Sequence, residues 1–227
     1  MTTKATTAGH EPVVVDYYSD LLCIWAWIAQ RRLDELSEQL GDQVRVHFHF
    51  MDVFGDAHGK IRNQWHARGG FDGFADHVAA SAGQFDHLAV HPELWRSVRP
   101  HSSAPAHLFI KAVQLAYGEG PATALALTMR RAFFENGVDI GQWPNLLGLA
   151  EQHALTAAGI ESAVASGQAY AALMADYQKA KREGLKGSPS YLLDGGRQVL
   201  FGNVGYRILS ANVEELLRKP AGEASWC

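Results

Sequence analysis

Asp16-Tyr17-Tyr18-Ser19-Asp20-Leu21-Leu22-Cys23-Ile24-Trp25-Ala26-Trp27-Ile28 decides the fold, because within it the residue pattern changes from that of a strand to that of a helix. Residues 13–18 are a β-branched and aromatic run bounded by Pro12 and by Ser19 and Asp20, which predicts a buried strand. From 22 to 40, Ile28, Leu33, Leu36 and Leu40 recur at helical spacing among Arg, Asp and Glu, and Gly41 closes the period. Residues 44–51 then alternate Val44, Val46, Phe48 and Phe50 with Arg45, His47, His49 and Met51, a strand period. The opening is therefore a βαβ unit, with parallel strands and a right-handed connection.

Further out, residues 56–184 carry almost no strand signal but many helix punctuators. Pro105 and Pro121 fall at first-turn positions, and Gly137, Gly159, Gly167 and Gly184 follow periodic stretches. Five or six helices are expected there. Residues 190–193, the turn Asp194-Gly195-Gly196 and residues 198–201 predict a hairpin, and an amphipathic helix over 206–217 ends before Pro220. With the middle set aside, βαβ is followed by ββα.

Composition narrows the function. The 227 residues suit one domain with a large insertion, taken as residues 13–218, with 1–12 and 219–227 as mobile tails. With 20 Lys and Arg against 24 Asp and Glu, the formal net charge of −4 offers no footprint for nucleic acid. The apolar runs are too short to cross a bilayer, so no membrane partner is expected. The first twelve residues lack the basic start and apolar run of a secretory signal, and two cysteines, Cys23 and Cys227, suit a reducing compartment. A cytoplasmic location follows. No Walker loop, dinucleotide fingerprint or GxSxG elbow occurs, which removes support for ATP, NAD and serine-hydrolase chemistry.

Cys23 lies where the first strand gives way to the first helix, beside backbone N–H groups that favour a thiolate, but also beside Ile24 and Trp25, which would desolvate one. The alternative is a buried small hydrophobe. His47 and His49 share a strand face and His87 and His91 have i, i+4 helical spacing, yet neither pair has the flanking ligands of a metal motif, so no metal is expected. In residues 96–107, Ser103 is read as a helix N-cap ahead of Pro105. Cys227, at the very end, could resolve a mixed disulfide in cis or across a homodimer, although a terminal cysteine is more often incidental.

The segment 16–28 resembles the strand-to-helix active-site segment of the DsbA-like branch of the thioredoxin superfamily, including the cytosolic FrnE type. It is also similar to that of the 2-hydroxychromene-2-carboxylate isomerases and kappa-class glutathione transferases, where serine replaces the first cysteine. Gly187-Ser188-Pro189-Ser190-Tyr191 resembles the superfamily's cis-proline loop, and Phe201-Gly202-Asn203 the segment after it. The resemblance implies a thioredoxin fold with an all-helical insertion over 56–184 and Cys23 as nucleophile in an active-site segment with Ile24, Trp25 and Ala26. It also implies a cis Pro189 facing Cys23, and binding of a small thiol, a protein disulfide or glutathione by Ser188, Pro189 and Asn203. Two departures matter: Ala26 stands in the place of the second CxxC cysteine, and Ile24 in that of the proline. The expected function is thiol–disulfide exchange through one cysteine, with no bound cofactor and glutathione as cosubstrate. The alternatives are a glutathione-dependent isomerase or transferase, and a non-catalytic binding module on the same fold.

Overall fold

The computed structural model describes residues 11–218. Strand β1 (Val13–Ser19) leads through a tight turn into α1 (Ile24–Leu40), which returns the chain to β2 (Val44–Phe50). β1 and β2 pair in parallel from Val13↔Val44 to Ser19↔Phe50, as expected of a βαβ unit. The chain enters the helical insertion after Phe50 and re-emerges as β3 (Ser190–Leu193) and β4 (Gln198–Phe201), followed by α9 (Tyr206–Arg218). β3 pairs antiparallel with both β1 and β4, giving the order β2-β1-β3-β4. This is the expected βαβ plus ββα arrangement with a helical insertion.

Alternation along the strands sorts the core. Val13, Val15 and Tyr17 of β1 and Tyr191 and Leu193 of β3 face Leu33 and Leu36 of α1 and Leu209, Val213 and Leu216 of α9. Asp16 and Tyr18, on the opposite face, meet the insertion. α1 stops at Gly41, whose φ of 52° suits a residue without a side chain, and its N–H returns to the Ser37 carbonyl.

The insertion holds seven α-helices, one more than the upper expectation: α2 (Ala57–Trp65), α3 (Gly70–Ala82), α4 (Ala104–Tyr117), α5 (Glu119–Phe134), α6 (Trp143–Glu151), α7 (Ala157–Ala165) and α8 (Gln168–Arg182). It packs on the first turns of α1 through a continuous core that includes Leu21, Leu22, Ile24, Trp27, Phe109, Phe133 and Phe134. Within that core, Trp95 is fully buried between Phe54, Phe74 and Phe133, with ring centroids 5.3–5.6 Å apart. Burial of one such aromatic ring contributes roughly 2–3 kcal/mol. His87 and His91 do not share a helix: α3 ends at Gly83, and both residues lie in the loop leading to α4.

Candidate active site

Cys23 is the N-cap residue of α1, with extended backbone (φ −85°, ψ 117°). Its N–H donates to the Asp20 carbonyl at 3.1 Å, and its own carbonyl accepts from Ala26 and Trp27, so the turn after β1 is closed on both sides of the thiol. The side chain is 5 % exposed. Because β3 lies beside β1 with Tyr18 opposite Ser190, the loop preceding β3 is carried to this turn. The Ser188–Pro189 bond there is cis. The Cys23 Sγ donates to the Ser188 carbonyl at 3.2 Å, and the Ser188 Oγ accepts from the Asp20 N–H at 2.9 Å. Pro189 in turn accepts from Gly202 N–H, and a Cβ on Gly187 would come within 2.9 Å of the exposed Phe201 ring, so a side chain there would have to displace that ring.

Sequence left two opposing effects on the thiol, and burial prevails. It pushes the Cys23 pKa above the ordinary thiol value, and the nearby Asp20 charge adds to the rise. Hydrogen bonding at Ser188 and to the backbone of Ala26 and Trp25 pulls the other way without offsetting it. At neutral pH the sulfur is therefore a protonated hydrogen-bond donor.

Around Cys23, Ile24 and Ala26 are buried and Trp25 is half-buried. Ala26 has no exposed surface and lies one turn after Cys23. Ala26→Cys is expected to close a disulfide with Cys23, since positions three apart at a helix start share a face. The added sulfur costs about 1 kcal/mol of overpacking. Intact mass and thiol titration before and after oxidation check this; three free thiols, Cys227 included, in the folded, oxidised variant would contradict the geometry. Asn203 follows Gly202, whose N–H bonds the Pro189 carbonyl, and its Oδ1 accepts from Arg32 of α1 at 2.6 Å. Cys227 lies outside the described residues.

Behind the thiol is a polar layer that sequence reading did not assign. Asp20 has no exposed surface, and its carboxylate accepts from Leu22 N–H (2.9 Å), Phe54 N–H (2.8 Å) and Ser103 Oγ–H (2.8 Å). Burial nevertheless raises its pKa to about 6, against those hydrogen bonds and the Arg130 charge. Ser103 does occupy the N-cap position of α4, but its hydroxyl serves Asp20 and makes no cap. The Ser102 Oγ accepts from Ala104 N–H instead. His107 Nε2 accepts from Leu21 N–H, which leaves Nδ1 as the donor to Tyr177 Oη at 2.9 Å. Burial, reinforced by Arg130, holds that ring well below the usual histidine pKa, hence neutral.

On the Asp16 face of the sheet, His49 lies between Asp16 and Asp176, at 3.0 and 2.9 Å. Lys111 reaches Asp176 at 2.7 Å, and Lys179 reaches Asp16 at 2.8 Å. His47 lies further out, 3.6 Å from Asp16. The signal available in sequence was the placement of Asp20, Lys111 and Arg130 within otherwise apolar runs, which is uncommon for unpaired charge.

Residues 14–214 match the DSBA-like thioredoxin domain family. No curated protein matches the chain. Among solved structures, a probable DsbA oxidoreductase from Streptomyces coelicolor is similar at TM-score 0.74 and 18% identity, covering 94% of this chain and 94% of that one. The cytosolic disulfide reductase DsbM from Pseudomonas aeruginosa, solved with GSH, is similar at TM-score 0.63 and 22% identity, covering 91% of this chain and 100% of that one. A 2-hydroxychromene-2-carboxylate isomerase is similar at TM-score 0.63 and 18% identity, covering 93% and 100%. At these identities the structural likeness concerns the fold. No helix among the described residues is long and apolar enough to cross a membrane.

Proposed function

Since this chain belongs to the DSBA-like thioredoxin domain family, whose members include oxidoreductases and isomerases, we propose that it is a monothiol disulfide-exchange enzyme resolved by glutathione. The observation that carries this reading is the contact of Cys23 Sγ with the Ser188 carbonyl beside Pro189, at a turn where the position one helical turn later is a buried alanine. The Cys23 thiolate, once its proton has left to solvent, attacks one sulfur of a disulfide R–S–S–R′. The Cys23–S bond forms, the S–S bond breaks, and R′S⁻ leaves. A glutathione thiolate then attacks the mixed disulfide, releasing the Cys23 thiolate and glutathionyl–S–R, so that the electron pair supplied by glutathione ends on R′S⁻. Ser188 presents backbone to the substrate next to the sulfur, and Trp25 supplies the half-buried surface beside it.

The raised thiol pKa makes the pH dependence specific. In a Cys227→Ser background, the rate of Cys23 alkylation by iodoacetamide should lie below that of an ordinary free thiol at neutral pH. It should climb about tenfold per pH unit into the alkaline range, since the thiolate fraction does. Incubation with oxidised glutathione should give one glutathione adduct on Cys23 by intact mass and peptide mapping, formed faster at higher pH. Folded protein that stays unmodified across that range would overturn disulfide exchange.

One observation favours a second reading, a glutathione-dependent isomerase or transferase. A protonated Cys23 can donate its S–H to a glutathione thiolate, which needs no second thiol and no redox change at Cys23. In that case reduced glutathione binds, and the ultraviolet absorbance of its thiolate appears on the protein, with no adduct formed from the disulfide.

A further inference from the structure

Arg130, which the thiol chemistry does not use, is 4 % exposed. Its Nη2 donates to Ser19 Oγ at 2.8 Å and its Nη1 to the Asp20 backbone carbonyl at 3.2 Å, which commits two of the five N–H donors of a guanidinium. Among the described residues no carboxylate lies within ion-pair distance of it: the Asp20 carboxylate is hydrogen-bonded to Leu22, Phe54 and Ser103 and meets the Arg130 charge only at longer range. A guanidinium held this far from water is costly unless an anion meets it.

The structure also provides a way in. Arg130, Ser19, Phe50, Ile110 and Ala126 line a chamber of ≈ 30 Å³ enclosed by α1, β2, α4 and α5. The chamber shares Gln30, Phe48, Glu119, Thr123 and Leu127 with an open groove of ≈ 580 Å³ that runs out over β2. At the groove's mouth Arg45 and His47 stand against Asp34, while Glu119, which lines groove and chamber alike, is held by Gln114, and Arg130 is the one cation lining the chamber. A water needs about 10–15 Å³ of such space, so the chamber takes a small head group and no more.

We propose that this cleft binds an amphiphilic monocarboxylate, its head group on Arg130 and Ser19 and its apolar tail along Phe48 and Leu127. A planar two-oxygen head matches the guanidinium fork, and a single negative charge matches a single cation in apolar surroundings, where a dianion would be left partly unpaired. The Asp20 carbonyl accepts from both Arg130 and Cys23 N–H, so the ligand sits directly behind the turn that carries the thiol. The site does not depend on the chemistry assigned to that thiol.

Titration of the full chain with 3-phenylpropionate, followed by the backbone amide shifts of Leu21 and Thr123, tests it. Saturable shifts are expected with the acid, and binding of the neutral 3-phenylpropionamide is expected to be weaker by at least about tenfold, the loss of a charge-assisted pair. Arg130→Met should weaken the acid by at least that factor, and Arg131→Met, at an exposed position, should leave it unchanged. Equal affinity for acid and amide, no saturable shift with the acid, or an Arg130→Met variant that binds as wild type would each overturn the proposal. If Arg130→Met does not fold, the acid-against-amide comparison on wild type decides alone.

Discussion

Cys23→Ala is expected to lower glutathione-driven turnover of a small disulfide by about a thousandfold or more, the difference between a reaction with and without its nucleophile. The fold should survive. Cys23 is a small side chain at the edge of the core, and loss of one sulfur leaves a void worth about 1 kcal/mol. The measurement is the rate of mixed-disulfide formation between glutathione and a model disulfide, alongside the denaturation midpoint. Cys227→Ser should behave as wild type. Cys23→Ser separates the two readings of the site: a hydroxyl cannot carry a disulfide, so exchange is lost as in alanine, whereas a hydroxyl still donates to a glutathione thiolate. An alanine variant that turns over disulfide at the wild-type rate would remove Cys23 from the mechanism.

What was legible in the chain was what local pattern encodes. The change of period at Ser19–Cys23, the alternation from Val44 to Phe50 and the turn Asp194-Gly195-Gly196 each report on a few neighbouring residues, and the strands and helices there fall within two residues of expectation. The direction of the Cys23 shift was not legible, because it depends on how completely the insertion closes over the turn, and that is set by residues such as Phe133 and Phe134 more than 100 positions away. The same holds for Ser103: next to Pro105 its sequence reads as a cap, but its hydroxyl has a buried carboxylate 83 residues away to satisfy, and the cap is left to Ser102. Asn203 was assigned by its place after Phe201-Gly202. Gly202 N–H does bond the Pro189 carbonyl, and the pairing of Asn203 with Arg32, 171 residues away, is one that no local pattern encodes. For His87 and His91 the spacing read as helical spans a segment that Gly83 has already taken out of the helix.

Asp176→Ala is expected to be among the most destabilising single substitutions in the protein, at roughly 3–5 kcal/mol, the cost of breaking a buried pair by removing one partner. The Asp176 carboxylate, carried by α8, is 9% exposed and satisfies three groups from two other elements: Lys111 Nζ of α4 at 2.7 Å, and His49 Nδ1 at 2.9 Å and the Phe50 N–H at 3.0 Å, both of β2. It therefore ties the insertion to the sheet. Without it, Lys111, itself only 4% exposed, is a buried ammonium with no carboxylate, and the Phe50 N–H loses its acceptor. For a chain of this length the loss corresponds to a fall in midpoint temperature of about 10 °C or more. Lys179→Ala is the comparison, because its pair with Asp16 involves a side chain that is 36% exposed and should contribute at most about 1 kcal/mol. The acid limb gives the sign. Burial alone would raise the Asp176 pKa, but the hydrogen bonds from His49 and Lys111 and their charges bring it below the ordinary carboxylate value. A carboxylate depressed in the folded state contributes stability that is in place above its unfolded pKa and is lost as pH falls through the folded one. Wild type should thus lose stability below about pH 4, and Asp176→Ala, already without that contribution, should show a shallower acid limb in urea denaturation measured between neutral and strongly acid pH. Parallel limbs, or a cost below about 1 kcal/mol, would mean that the cluster joining α4, α8 and β2 does not hold the insertion on the sheet.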